Sequence, residues 1–298
     1  MIGIIGPTAT GKTSLAVAIA DKIGGEIISA DSRQVYVGMD IGSGKDLSEF
    51  SINGQEIPYH LIDIRNPGYE YNVFEYQNDF YVAYNDITQR NKTPILCGGT
   101  GLYIEAILKG YKLINVPRNE ELRKQLENKD DEELTALLAA YRELHNTSDT
   151  SDRKRLIRAI EIALYTKEHK ITQEQYPKID YRLFAIDIER DLLKKRITKR
   201  LKQRLEEGMI KEVEFLMAGG IRAEQLKFYG LEYKFVAQYV IGELSYNDMY
   251  QKLNSAIHQF AKRQMTWYRK MERNGFKITW IPYAIPLERK IEIVLRTC

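Results

Sequence analysis

The chain has 298 residues, 44% of them hydrophobic and 29% charged, which suits one large soluble domain or a core with a smaller insertion and excludes a peptide scaffold or a disordered chain. Its 44 Lys and Arg against 41 Asp and Glu leave a formal charge of +3, which permits a nucleic-acid partner without requiring one. No apolar run reaches the roughly 20 residues of a membrane span, and Cys97 and Cys298 offer neither a disulfide framework nor a zinc quartet. With no basic stretch ahead of the first apolar run, no signal peptide is expected, and the protein reads as cytoplasmic.

The first apolar run, Ile2–Ile5, ends in a glycine loop, and residues 13–22 follow with Leu15, Ala18, Ile19 and Ile23 on one helical face. Apolar runs at 26–30 and 94–97 stop at Asp31 and at Gly98 and Gly99, and strands alternating with helices predict a parallel sheet. After Gly110 strands cease. Pro117 and Pro177 bracket a helical stretch, so residues 115–178 are expected to be an all-helical insertion between core segments 1–114 and 179–298. Within it, 118–133 is acidic, whereas 153–170 holds six Lys or Arg against two Glu. The sheet returns at 183–188, helices follow at 191–217, 229–241 and 246–274, and a last strand at 277–282 is expected at the sheet edge. The 20 tyrosines suit amphipathic packing between elements.

Gly6, Pro7, Thr8, Ala9, Thr10, Gly11, Lys12 and Thr13 satisfy the phosphate-loop pattern G-x-x-x-x-G-K-S/T between a predicted strand and a predicted helix. Gly6 and Gly11 let successive N–H groups converge on phosphate oxygens, Lys12 reaches the terminal phosphate, and the Thr13 hydroxyl can ligate Mg²⁺. The predicted fold class is therefore α/β: a P-loop NTPase-like parallel sheet flanked by helices, with an inserted all-helical subdomain. An ATP hydrolase also needs a carboxylate at the end of a neighbouring strand. Here the third run leads into Gly98, Gly99 and Thr100, and Asp187 is the alternative, so the hydrolase reading is weakened but open. Asp31 ends the second run, where α/β sheets face their ligands. It is a candidate general base or Mg²⁺ ligand, against the plainer role of a turn cap. Ser32, Gln34 and Tyr36 follow it with groups suited to a base edge.

These residues, joined by Ile28-Ser-Ala-Asp-Ser-Arg-Gln-Val-Tyr36, Gly38-Met-Asp-Ile-Gly42, Tyr59-His-Leu-Ile-Asp63, Gly98-Gly-Thr-Gly-Leu-Tyr103 and Lys262-Arg-Gln-Met-Thr-Trp267, resemble the tRNA dimethylallyltransferase family. The blocks come in that family's order across nearly the whole chain. The resemblance implies transfer of a dimethylallyl group from dimethylallyl diphosphate to N6 of the adenosine 3′ of the anticodon, with the tRNA anticodon stem-loop as partner. It implies that residues 6–13 hold the diphosphate with Mg²⁺ at Thr13, that Asp31 is the base, and that Thr100 sits near the reacting amine. Arg190 and Lys227 are expected at the diphosphate. Asp31, Ser32, Arg33, Gln34 and Thr100 are expected at the tRNA, with Arg123, Lys154, Arg155 and Arg158 in the insertion and Lys262, Arg263 and Gln264 near the C-terminus.

Residue spacing adds to this. Leu156, Ile157, Ile160, Ala163 and Leu164 form an apolar face that leaves Arg155 and Arg158 projecting together. Leu253, Ile257, Phe260, Gln264, Tyr268 and Met271 trace one helix face, and Lys262, Arg263, Thr266 and Lys270 another, with Trp267 a core anchor. Residues 190–204 carry eight Lys or Arg and one acid, with Arg196, Arg200 and Arg204 at one-turn spacing, either a solvated face or a set of phosphate contacts. Two departures stand out. Lys227 occupies the place of a family arginine, giving a point charge for a fork, and the insertion block before Arg153 reads Ser148-Asp-Thr-Ser-Asp152, with Ser151 or Asp152 left to cap the helix. The competing readings are an adenylate isopentenyltransferase acting on free nucleotide, a small-molecule kinase and a nucleotide-sensing RNA-binding module. A monomer is expected.

Overall fold

Short runs of β-branched residues closed by glycine become strands, and the periodic stretches between them become helices. The computed structural model describes residues 1–52, 54–141, 152–169 and 176–297. Strand β1 (Ile2–Ile5) leads through the glycine loop to helix α1 (Lys12–Ile23) and strand β2 (Glu26–Ala30). A hairpin of β3 (Ser51–Ile52) and β4 (Gln55–Glu56) precedes β5 (Tyr59–His60), followed by α2 (Val73–Gln89), β6 (Pro94–Gly98) and α3 (Gly101–Lys109). Next come α4 (Glu120–Glu127), α5 (Asp131–Ala139) and α6 (Arg153–Glu168). The chain continues with β7 (Arg182–Asp187), α7 (Arg190–Glu206), α8 (Met209–Ala218), α9 (Ala223–Leu226), α10 (Leu231–Val240), α11 (Tyr246–Arg273), β8 (Ile278–Pro282) and α12 (Leu287–Thr297).

The main sheet runs β5-β2-β6-β1-β7-β8 with every pair parallel. From β1 the chain works out one way to β2, β5 and β6, then returns to the other side for β7 and β8. The carboxyl end of β1 is therefore a switch point, where α/β sheets open a crevice. Every residue of β1, β2 and β6 is buried, as befits a parallel sheet covered on both faces. Leu15 and Ile19 of α1 share a core with Phe50, Ile281, Ile291 and Val294. Between α2 and α3, Tyr76 stacks on Tyr103 with ring centroids 4.0 Å apart.

Contacts divide the chain into Met1–Gly110 with Pro177–Cys298, and Tyr111–Tyr176, against the expected insertion of 115–178. The insertion has its own core of Leu126, Leu134, Leu138, Leu156, Ala159 and Ile160, with Ile157, Ala163 and Leu164 partly buried around it. Asp152 caps α6 by accepting from the Arg155 N–H at 3.0 Å. The alternative cap, Ser151, lies outside the described residues, as does Cys298.

Several expectations need correction. The helix expected at 191–217 is two, α7 and α8, broken at Gly208, whose φ of +108° favours glycine. Helix α1 buries Ala16, Val17 and Ala20 beside Leu15 and Ile19 while Ala18 and Ile23 are only partly covered, because it packs against both the sheet and α12. Helices α2 and α12 and the short strands β3, β4 and β5 lie outside the expected elements, although both helices are amphipathic, α2 burying Tyr76, Phe80, Ala83 and Ile87 and α12 burying Ile291 and Val294. Tyr36, expected at the rim, is 1% exposed and accepts from the Tyr71 N–H at 3.1 Å. No helix among the described residues is long and apolar enough to cross a membrane.

Candidate active site

The phosphate loop leaves the carboxyl end of β1. Gly11, at φ +74°, caps α1 without any side-chain hydrogen bond, so the first-turn N–H groups remain available to an anion. Ala9 takes the left-handed conformation at φ +63°, a strained choice for a residue with a Cβ. Thr10 Oγ1 and Lys12 Nζ each donate to the Pro7 carbonyl at 2.8 Å. Burial lowers the Lys12 pKa from its ordinary value. The Thr13 hydroxyl bonds the carboxylate of Glu49, whose pKa is raised by burial and by Asp46.

Helix α7 supplies the cations. Arg196 Nε donates to the Ala9 carbonyl at 2.8 Å, and Arg200 approaches Thr8 Oγ1 at 3.4 Å and the Gly44 carbonyl at 3.3 Å. Burial, and then the neighbouring Arg204, pull the Arg200 pKa down to about 10. A half-buried guanidinium beside a second one is a place where an anion is welcome. Neither of the two residues expected at the diphosphate is hydrogen-bonded to the phosphate loop among the described residues. Arg190 opens α7 at the surface, and Lys227 pairs with Glu224 at 2.7 Å. The one-turn spacing of Arg196, Arg200 and Arg204 was the signal for this face: Arg196 and Arg200 meet the loop, and Arg204 pairs with Glu232.

Asp31 stands just past β2. Its carboxylate accepts from the Arg33 N–H at 2.9 Å, and its own N–H donates to Ser29 Oγ at 3.3 Å. Because β2 and β6 pair with Ala30 opposite Gly98, the turn after β6 lies alongside. The Thr100 N–H donates to the Ala30 carbonyl and the Ser32 N–H to Thr100 Oγ1, both at 3.0 Å. Asp31, Ser32 and Thr100 are thus brought together by strand pairing. Gln34 is turned back to Ser29, which donates to it at 2.9 Å, and Arg33 bonds the Phe228 carbonyl.

Gln264 overturns its expected place among the tRNA contacts. It is 7% exposed; its Oε1 accepts from the Thr8 N–H at 3.0 Å and its Nε2 donates to the Gly99 carbonyl at 2.9 Å. Tyr268, one turn on, donates to the Gly6 and Gly99 carbonyls, each at 3.1 Å. Helix α11 thereby latches the phosphate loop to the turn that carries Thr100. Lys262 and Arg263 are exposed on its outer side, whereas Phe260, expected in the buried row, is 39% exposed. Trp267 is partly buried against Gly101.

In the insertion, Arg123 and Arg158 are both engaged by one buried carboxylate. Arg123 grips Glu161 through Nε at 2.6 Å and Nη2 at 2.8 Å, and Arg158 reaches it at 3.0 Å and the Val116 carbonyl at 2.7 Å. Burial opposes the Glu161 charge, but the hydrogen bonds from Arg123, Arg158 and the Asn119 N–H outweigh it and hold the carboxyl at about 2. Arg153 closes the end of α4 on the Leu126, Glu127 and Lys129 carbonyls. Lys154 and Arg155 remain exposed.

The family model described as IPP transferase matches residues 34–271. The chain belongs to the IPP transferase family. A second model, isopentenyl transferase, matches residues 1–56, which include the phosphate loop and Asp31. Among curated relatives, tRNA dimethylallyltransferase 2 of Bacteroides fragilis is 55% identical over 294 residues, covering 99% of this chain and 96% of that one. The tRNA dimethylallyltransferase 1 of Parabacteroides distasonis is 55% identical over 296 residues with the same coverage. The crystal structure of a full-length tRNA isopentenylpyrophosphate transferase from Bacillus halodurans is similar at a TM-score of 0.72 and 31% identity, over 99% of this chain and 94% of that one. For this IPP transferase the parallel sheet flanked by helices is thus the architecture of its relatives.

Proposed function

We propose that this IPP transferase moves a dimethylallyl group from dimethylallyl diphosphate to N6 of the adenosine 3′-adjacent to the anticodon in tRNA, releasing diphosphate. The observation that carries this reading is an anion cradle with inward-turned arginines that shares one crevice with Asp31 and Thr100. The strand-end position where a P-loop hydrolase would place its carboxylate is instead occupied by Gly98, Gly99 and Thr100.

The adenosine must be drawn out of its stack to reach this crevice. Its exocyclic amine is a weak nucleophile because the lone pair is delocalised into the ring. Asp31 takes one amine proton as nitrogen attacks the allylic carbon, a contribution of roughly 10²–10⁴-fold, and Thr100 Oγ1 stands ready to bond the reacting amine. As the new C–N bond forms, the allylic C–O bond breaks and its electron pair leaves with the diphosphate. The charge that grows there is met by the N–H groups at the start of α1, by Lys12 and by Arg200. The Thr13 hydroxyl and the Glu49 carboxylate are hard oxygen donors side by side, a chemistry that suits Mg²⁺, and these two residues would hold it. Bound there, it would neutralise charge on the leaving diphosphate. Exposed Lys154 and Arg155 in the insertion, and Lys262 and Arg263 on α11, are the cations left to meet tRNA phosphates. A cytoplasmic monomer suffices for this chemistry.

The test is incubation with labelled dimethylallyl diphosphate or labelled ATP, offering unmodified tRNA or AMP as acceptor. Prenyl label on tRNA alone is expected. Label on AMP would point to a free-nucleotide enzyme, and ATP consumption without prenyl transfer to a kinase. Asp31→Asn should abolish transfer while tRNA binding persists; near-normal turnover would refute the assignment of the base.

A further inference from the structure

The block Gly38-Met-Asp-Ile-Gly42 has no part in the proposed chemistry, yet the structure fastens it at several points. The N–H groups of Asp40, Ile41 and Gly42 all turn to one carboxylate, Glu212 of α8, and donate to it at 2.9, 2.7 and 3.0 Å. Tyr233 of α10 donates to the same carboxylate at 2.7 Å and accepts from the Ser43 N–H at 3.2 Å. Lys45, only 4% exposed, donates to the Tyr36 carbonyl at 3.0 Å and pairs with Asp63 and Asp40. Converging N–H groups make an anion site, and here the chain's own carboxylate fills it.

What the turn presents is the Gly44 carbonyl. Arg200 Nη2 donates to it at 3.3 Å while Nη1 reaches Thr8 of the phosphate loop at 3.4 Å, so the guanidinium spans from the turn to the cradle. Gly44 has φ +72°, and a Cβ there would collide with Nη2 of both Arg200 and Arg204; glycine lets the turn come this close to α7. A long side chain left free loses rotamer entropy when it seizes an anion, whereas one already braced loses little.

We propose that Glu212 is a positioning residue for Arg200: by gripping the 40–44 turn through its N–H groups it fixes the carbonyl on which the guanidinium rests, and so sets the fork beside the cradle before the anion arrives. The inference rests on the phosphate loop holding diphosphate. Burial first, then Glu212, keep the Tyr233 hydroxyl well above the ordinary tyrosine range, so it remains a donor to that carboxylate at working pH. A glutamine at 212 would keep the shape but bring an amide group, itself a donor, to N–H groups that need acceptors.

Calorimetric titration of the full chain with pyrophosphate tests this, with millimolar ligand for the weaker variants. Glu212→Gln should weaken binding about tenfold, and Tyr233→Phe, which removes one hydroxyl and no carbon, about threefold. The tyrosine variant decides alone if Glu212→Gln does not fold. In an Arg200→Ala background neither change should weaken binding further, since both act through that guanidinium, although each still lowers the denaturation midpoint. A glutamate that only braced the fold would lower the midpoint and leave pyrophosphate affinity alone. Wild-type affinity in folded Glu212→Gln or in Tyr233→Phe, undiminished affinity in Arg200→Ala, or equal losses with and without Arg200 each overturn the proposal. A wild-type chain that does not bind pyrophosphate would overturn the reading of the cradle itself, and this inference with it. Binding that Arg200→Ala weakens and folded Glu212→Gln does not overturns this inference only.

Discussion

Replacing Gln264 by leucine separates a structural latch from an RNA contact. The side chain is enclosed and makes two hydrogen bonds, to the Thr8 N–H and the Gly99 carbonyl. The carbonyl would keep its bond from Tyr268, so leucine strands one half-buried donor rather than two groups. The penalty is that of a single unpaired N–H, about 1–3 kcal/mol. If the loop must then be ordered by its ligand, the same free energy appears as a loss of pyrophosphate affinity of about 5- to 150-fold. Calorimetric titration with pyrophosphate, alongside chemical denaturation, reads both quantities. Binding of tRNA without the donor should not change. Wild-type pyrophosphate affinity in Gln264→Leu, or weakened tRNA binding as the sole defect, would refute the argument.

Two further outcomes are expected. Glu161 is held at about 2 against an ordinary 4.5, so its contribution is complete above pH 4.5 and is lost as pH falls toward 2; it is worth up to about 3 kcal/mol, less where solvent screens the cluster. The melting-temperature gap between the wild-type chain and Glu161→Gln should therefore narrow across that window, and a gap constant with pH would disprove it. The double variant Lys154→Glu, Arg155→Glu should weaken tRNA binding and lower the slope of log affinity against log salt by roughly 0.7 to 0.9 per lost phosphate contact, leaving turnover at saturating tRNA unchanged; identical slopes would remove these residues from the interface.

The sequence carried the parts of the fold that rest on local rules. The phosphate loop is legible because its glycines, Lys12 and Thr13 occur together between an apolar run and an amphipathic one, and the place of Asp31 follows from where its strand stops. What escaped depends on partners distant in sequence. Arg123 and Arg158 read as exposed cations because Glu161, which both engage, lies 38 residues from one of them. Gln264 stood in an apolar row, the one available signal of burial, but the groups it joins lie 256 and 165 positions away. Lys227 is a local exception: its ion pair with Glu224, three residues earlier, shows how a nearby carboxylate claims a cation first.

The latch on α11 also has a temporal side. The cradle begins at Gly6, yet two of the side chains that fasten it, Gln264 and Tyr268, lie 256 and 262 positions after the groups they hold. During synthesis the segment holding β1, α1 and β2 emerges first, but its anion pocket stays unfastened until helix α11 has left the ribosome. A product cut short before this helix would keep its glycine-rich turn and lose the means to set it, so unfinished copies would not hold an anion there.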